Sequence, residues 1–258
     1  LTGLVITTDV LTANAINFTN NGTLDITNTG NSLINGVITG TGVAIDKSGA
    51  GQLSLNGNNT YTGVTTINAG TLKLGHVNAL GSDASGSGTV VKTNATLDLS
   101  NLTITEPVTL NGGSVINGTL SGLMALTADS ILEAAANESV TINGIISGNF
   151  GLTIRGGGTL TLGGNNTYTG VTAIAAGTLR ITHNNALGSA SGSTTIANGA
   201  TLDLVNVAVA SENLTINGGT LKDATSSWGG NITLSGNTTF DIATVSYTHL
   251  RAHETVLD

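Results

Sequence analysis

The chain of 258 residues contains no cysteine, a single proline and only 9% charged residues, where an ordinary globular protein carries roughly a quarter. Without cysteine there are no disulfides and no thiolate metal sites. Aromatic residues make up 3%, too few for the stacking faces that sugar binding usually recruits. Seven Lys plus Arg against fifteen Asp plus Glu give a net charge of −8. The scattered cations form no stripe to neutralise phosphates, which argues against nucleic acid as a partner. There is no run of 18 or more apolar residues, so no helix is expected to span a membrane. Leu1 opens the chain with neither a charged n-region nor an apolar h-region, so any export signal is expected to lie outside it.

What fills the space is Gly (37 residues), Thr, Asn and Ser, interrupted at regular intervals by Leu, Ile and Val. That spacing supplies the apolar surface that disordered chains lack. The phrase GNNTYTGVTTINAGTLKL from Gly57 returns as GNNTYTGVTAIAAGTLRI from Gly164. The copy extends to GQLSLNG at Gly51 and GTLTLGG at Gly158, to NALGS at Asn78 and Asn185, and to TLDL at Thr96 and Thr201. The chain therefore holds two copies of one long unit, Leu24 to Ser130 and Ile131 onward. At about 107 residues, the unit is several times longer than a single solenoid repeat.

Inside each unit runs a shorter beat, a small residue followed by an apolar-x-apolar triplet. Its anchors are Leu24, Leu53, Leu72, Leu97, Val115, Ile131, Leu160, Leu179, Leu202, Leu221 and Phe240, unevenly spaced. Five beats per unit average about 21 residues, the scale of a stacked solenoid repeat. The longest interval, Leu24 to Leu53, recurs in the second copy as Ile131 to Leu160. The triplets alternate with the period of a half-buried strand, and Asn-Gly, Gly-Gly and Ala-Gly pairs between them suit turns. Sandwiches do not need so long a copy, and propeller blades run longer than the beat, about 40 to 50 residues. The expected fold is all-β, a parallel β-helix over residues 1–245. SILEAAANES from Ser130 has helical propensity, but its Ile131 falls on an anchor and the segment is expected to stay within a coil.

The repeated phrase, with Gly57, Asn59, Thr60, Tyr61, Thr62, Gly63, Thr65, Gly70 and Leu72, and again Gly164, Asn166, Thr167, Tyr168, Thr169, Gly170, Thr172, Gly177 and Leu179, resembles the passenger-associated transport repeat. The resemblance implies a right-handed parallel β-helix (β-solenoid) from the passenger of a Gram-negative autotransporter. It would be carried across the outer membrane by a C-terminal β-barrel translocator and displayed on, or shed from, the cell surface. The role implied is a structural or adhesive stalk, monomeric, with an unidentified surface ligand; a polysaccharide lyase on the same scaffold is the alternative. Absence of cysteine suits a chain that threads a narrow pore unfolded.

No residue is assigned a catalytic, cofactor or metal role. His76 and His183 recur at one place in the two copies, but five rungs of about 4.8 Å separate them by roughly 24 Å, so they are expected to be turn residues. Asp98 and Asp203 are likewise too far apart to act as a glycosidase pair, and alternation makes them solvated, solubilising charges. Arg155 and Arg180, about one coil apart, are the candidate lyase bases and potential neighbours on a face, though no acidic cluster accompanies either in sequence. Tyr61 and Tyr168 are expected to pack at turns, and Trp228, the single tryptophan, is a candidate contact residue. GGG at Gly156 and SGSG at Ser85 lack the Lys-Ser/Thr and helix of a phosphate loop. The sequons at Asn101 and Asn231 follow from composition. After Phe240 the Ile-Asn-Gly turn seen at Ile34–Gly36 and Ile142–Gly144 fails to reappear, and VSYTHLRAHETVLD takes its place, with Arg251 between His249 and His253. Residues 246–258 are therefore expected to be a non-native tail rather than a His-x-x-x-His metal site.

Overall fold

The computed structural model describes residues 3–7, 12–19, 21–82 and 88–242, which form 28 strands and no α-helix. The chain divides into two compact units, Leu1–Ser130 and Ile131–Asp258. Each is a β-solenoid in which strands pair in parallel with their equivalents one coil away. The expected tail, residues 246–258, and the glycine run at Ser85 lie outside the described residues.

In the first unit one ladder stacks Leu4, Leu24, Ile45, Thr65, Thr89, Val108 and Met124. Two residues further along each strand, a second inward column reads Ile6, Ile26, Lys47, Ile67, Val91, Leu110 and Leu126. The opposing sheet stacks Ser32, Leu53, Leu72, Leu97 and Val115. In the second unit Val140, Leu160, Leu179, Leu202, Leu221 and Phe240 form one column. Leu152, Thr172, Thr194, Leu214 and Ile232 form the other. Leu53, Leu72, Leu97, Leu160, Leu179, Leu202 and Leu221 are all 0% exposed, and burying each such side chain is worth about 1.5–3 kcal/mol. A coil has one inner face and nothing of its own to cover it, so the sequence has to recur for that face to become a core.

Two anchors are misplaced by the sequence reading. Leu24 stacks on Ile45 in the other sheet, and the true predecessor of Leu53 is Ser32. Ile131 is half-buried while its neighbours Ser130 and Leu132 turn inward; Val140 precedes Leu160 in the ladder. Each of the two longest intervals is thus one coil plus the step between two faces of the same coil. Alternation gives the direction of a side chain but not the sheet on which its strand lies. The segment of helical propensity forms the strand Ser130–Glu133.

The turns are set by close approach. Gly70 and Gly177, equivalent in the two copies, have φ of 68° and 71°. A Cβ on either would sit 2.4 Å from the carbonyl oxygen of Gly51 or Gly156, one coil below. Only glycine meets both conditions, which accounts for its place in the repeated phrase.

Candidate functional site

The residues that define the repeated phrase meet in one buried constellation, built twice. Asn59 follows the exposed Asn58 at the corner between strands Gln52–Leu55 and Thr65–Ile67 and is 2% exposed. Its Oδ1 accepts the Ile38 amide at 2.8 Å from the coil before. Its Nδ2 donates to the Ala79 carbonyl at 2.6 Å in the coil after. One side chain therefore ties three successive coils. Asn166 does the same between Ile146 and Ala186, at 2.8 and 2.6 Å. On the outside, Asn78 Nδ2 donates to Asn58 Oδ1 and Asn185 Nδ2 to Asn165 Oδ1, both at 2.8 Å.

Two residues past each buried asparagine, Tyr61 and Tyr168 are 0% exposed. Their hydroxyls meet those of Thr65 and Thr172 at 2.6 Å. Burial pushes both phenols well above their ordinary range, against the threonine hydrogen bonds, with a smaller push from the charge of Glu106 or Glu212. Thr65 stacks in register on Thr89, and Thr172 on Thr194. Thr89 donates to Glu106 Oε1 and Thr194 to Glu212 Oε1, both at 3.0 Å. Glu106 and Glu212 are 6% and 4% exposed. Burial raises the Glu212 carboxyl above its usual range, opposed by the Thr194 hydrogen bond. The hydroxyl–hydroxyl pairs within a coil and the hydroxyl–carboxylate pairs between coils satisfy buried polar groups that would otherwise be costly. The sequence reading missed the two glutamates, although they recur at matching places in a chain with few acids.

The remaining candidates divide cleanly. Nδ1 of His76 and of His183 accepts the backbone amide two residues on, at 3.0 and 3.1 Å, so both histidines close turns. Arg155 and Arg180 are not neighbours. Arg155 ends the strand Leu152–Arg155, which pairs with Thr172–Ile174, whereas Arg180 lies on Thr178–Ile181 between Thr159–Leu162 and Thr201–Leu204. Each also has an acidic partner one coil away that local sequence does not reveal: Arg155 Nε donates to Glu133 Oε2 at 2.7 Å, and Arg180 Nε to Asp203 Oδ2 at 2.9 Å.

Asp98 and Asp203 are not solvated charges; they are 7% and 5% exposed. They do point outward, but Lys73 lies 3.9 Å from Asp98 Oδ2 and Arg180 lies over Asp203. The Asp98 carboxylate also accepts the Ser100 amide at 2.9 Å. Long cationic stems one rung away cover what alternation alone would leave wet. Trp228 is half-buried on a short strand paired with Ala208–Val209, and its indole nitrogen has no partner among the described residues. Gly156 has φ of 98°, with the Ala134 carbonyl where a Cβ would stand, a packing role. Among the described residues no group of three His, Asp or Glu side chains could hold a metal ion.

One concavity stands apart from this machinery. In the second unit a groove of about 580 Å³ lies over the outer face of strands Thr178–Ile181, Thr201–Leu204 and Thr220–Asp223, lined by Arg180, Asp203, Lys222 and Asp241 together with the exposed Val205.

Comparison with known proteins gives two findings. The family model described as Passenger-associated-transport-repeat matches residues 45–74 and 152–181. A protein of Brucella suis biovar 1 (strain 1330) described as "Adhesin BmaC autotransporter" is 35% identical over 162 residues, covering 59% of this chain and 4% of that protein. The chain thus spans a small fraction of the length of this relative. No solved structure matches. Both copies of the phrase fall within the matched residues, and Asn59, Tyr61, Thr65 and Gly70 lie in the first match.

Proposed function

We propose that this chain is a β-solenoid segment of an autotransporter passenger, acting as a structural and adhesive stalk on the exterior of a Gram-negative outer membrane. A C-terminal β-barrel translocator would carry it there, and the segment itself is non-catalytic and monomeric. The observation that carries this reading is the use to which the motif residues are put. Asn59, Tyr61, Thr65 and Gly70, with their counterparts, are consumed by contacts within and between coils. A motif so spent builds length rather than chemistry. The similarity to an adhesin autotransporter supports the same role. The two arginines that a lyase would draw on are held by carboxylates one coil away.

The test is made on intact cells carrying the parent protein. External protease should release this segment without lysis, and deletion of residues 45–181 should lower adherence while leaving the membrane anchor in place. A segment that becomes accessible only after lysis would overturn the reading. So would calcium-dependent release of unsaturated oligosaccharide from pectin or alginate, abolished by Arg155→Ala or Arg180→Ala.

A further inference from the structure

The internal duplication separates what the fold requires from what it does not. The buried asparagines, tyrosines, threonines and glutamates are the same in both copies. The groove of the second unit is not. Its outer column reads Thr161, Arg180, Asp203, Lys222 and Asp241 in strict register. The corresponding column of the first unit reads Ser54, Lys73, Asp98 and Ile116. Ile116 thus occupies the rung held by Lys222, and the alternation of charge stops there. The adjacent column of the second unit is a run of five threonines, Thr159, Thr178, Thr201, Thr220 and Thr239.

Charge within the groove is unevenly committed. Arg180 engages Asp203 through Nε at 2.9 Å, which leaves its two terminal nitrogens without a partner among the described residues. Asp223, turned inward at 4% exposure, caps its own turn by accepting the Thr225 and Ser226 amides at 3.0 and 2.8 Å. Lys222 stands one rung from Asp203 and one from Asp241, about 4.8 Å from each in backbone spacing, yet makes no ion pair among the described residues. An exposed ammonium flanked by carboxylate acceptors, guanidinium donors and the exposed apolar side chain of Val205 can satisfy a compact ligand with one carboxylate, several hydroxyls and a C–H face. The volume lies within the range of small-molecule sites, roughly 300–1,000 Å³.

We infer that this groove binds an acidic monosaccharide or the acidic residue of a glycan, a uronic acid in chemical class. Lys222 takes the carboxylate, Arg180 and the rim carboxylates take hydroxyls, and Val205 offers the C–H contact in place of an aromatic face. The proposal deepens the adhesive reading, on which it rests, by naming the ligand of this unit. It requires no covalent step.

The experiment is a ligand-observed NMR titration of the full chain with D-glucuronate, with methyl glucoside as the neutral control. Saturable binding of glucuronate is expected, stronger than that of the glucoside. It should weaken about tenfold in Lys222→Gln, the scale of one lost charge-assisted hydrogen bond, and be retained in Lys222→Arg. Lys73→Gln, in the first unit, should bind as the unmodified chain does. Lys222 is exposed, so the variant folds, and its melting curve verifies that. Equal binding of the two sugars, or glucuronate binding unchanged in Lys222→Gln, overturns the inference. Either result leaves the displayed stalk standing, because that is decided by protease access on cells.

Discussion

Lys47 occupies a position that its neighbours in the ladder fill with Ile26 and Ile67, and replacing it with methionine should stabilise the first unit. The lysine is 0% exposed. Its ammonium donates to the Ala69 carbonyl at 3.2 Å and to that of Gly49, with no carboxylate partner among the described residues. Burial pulls it from 10.5 down to about 8. A drop of that size is worth about 3.4 kcal/mol at roughly 1.36 kcal/mol per pH unit. At pH 7 the folded chain keeps the charge and bears that cost in full. Lys47→Met removes it but leaves two carbonyls short of a donor, about 1 kcal/mol each. The net gain should be about 1–2 kcal/mol, a rise of about 2–8 °C in Tm for a protein of this size. The second copy carries Ile154 at this rung.

The pH dependence provides the sharper measurement. Between pH 8 and 10.5 the unfolded chain holds the proton that the folded chain has lost, so stability rises with pH. About 2 kcal/mol should return to the wild type between roughly pH 7 and 9.5, and the variant should lack that rise. Thermal melts followed by circular dichroism at the two pH values give both quantities. The reasoning is refuted if Lys47→Met melts below the wild type at pH 7 while showing the wild-type rise.

Three further outcomes are expected. Asn59→Ala breaks two buried hydrogen bonds and orphans a backbone amide and a carbonyl, a loss of about 2–4 kcal/mol, while Asn58→Ala next to it should stay within about 0.5 kcal/mol; denaturant melts compare them. Tyr168→Phe leaves the buried Thr172 hydroxyl without its partner and should cost about 1–2 kcal/mol, and combining it with Tyr61→Phe should give additive losses in chemical denaturation. The folded carboxyl of Glu212 titrates above its unfolded counterpart, so its contribution is fully present below the unfolded value and declines as pH rises through the folded one. Glu212→Gln should therefore flatten the fall in Tm on going from acid toward neutral pH.

The ladders of Leu53, Leu72, Leu97 and Val115 and of Leu160 through Phe240 were legible because side-chain direction has period two and the pattern of coils recurs between the two copies. Leu24 and Ile131 were misassigned because two sheets share that same alternation, and only register separates them. Of the polar constellation, Tyr61 and Tyr168 were legible as packing residues. Glu106 and Glu212 were not, since a lone glutamate in a Thr-rich stretch reads as a surface charge. The partners of Arg155, Arg180 and Asp203 lie a full coil away in sequence, invisible to any local window. Duplication was the signal available for the glutamates. Departure from it was the signal for Lys47 and Lys222, which stand opposite Ile154 and Ile116.

The buried asparagine amide gives the stack a direction. Its acceptor reaches toward the coil made earlier in the sequence and its donor toward the one made later, in both copies. Until the next coil docks, the asparagine at each of these two corners holds a buried amide half satisfied, so at Asn59 and Asn166 the arriving coil completes the hydrogen bonding of the one before it. At these two corners opening is therefore expected to release a whole coil rather than a single strand. In hydrogen exchange, the Ile38 and Ile146 amides would be released together with the asparagine corner one coil ahead of them, making those two protons clocks for the opening of a single coil.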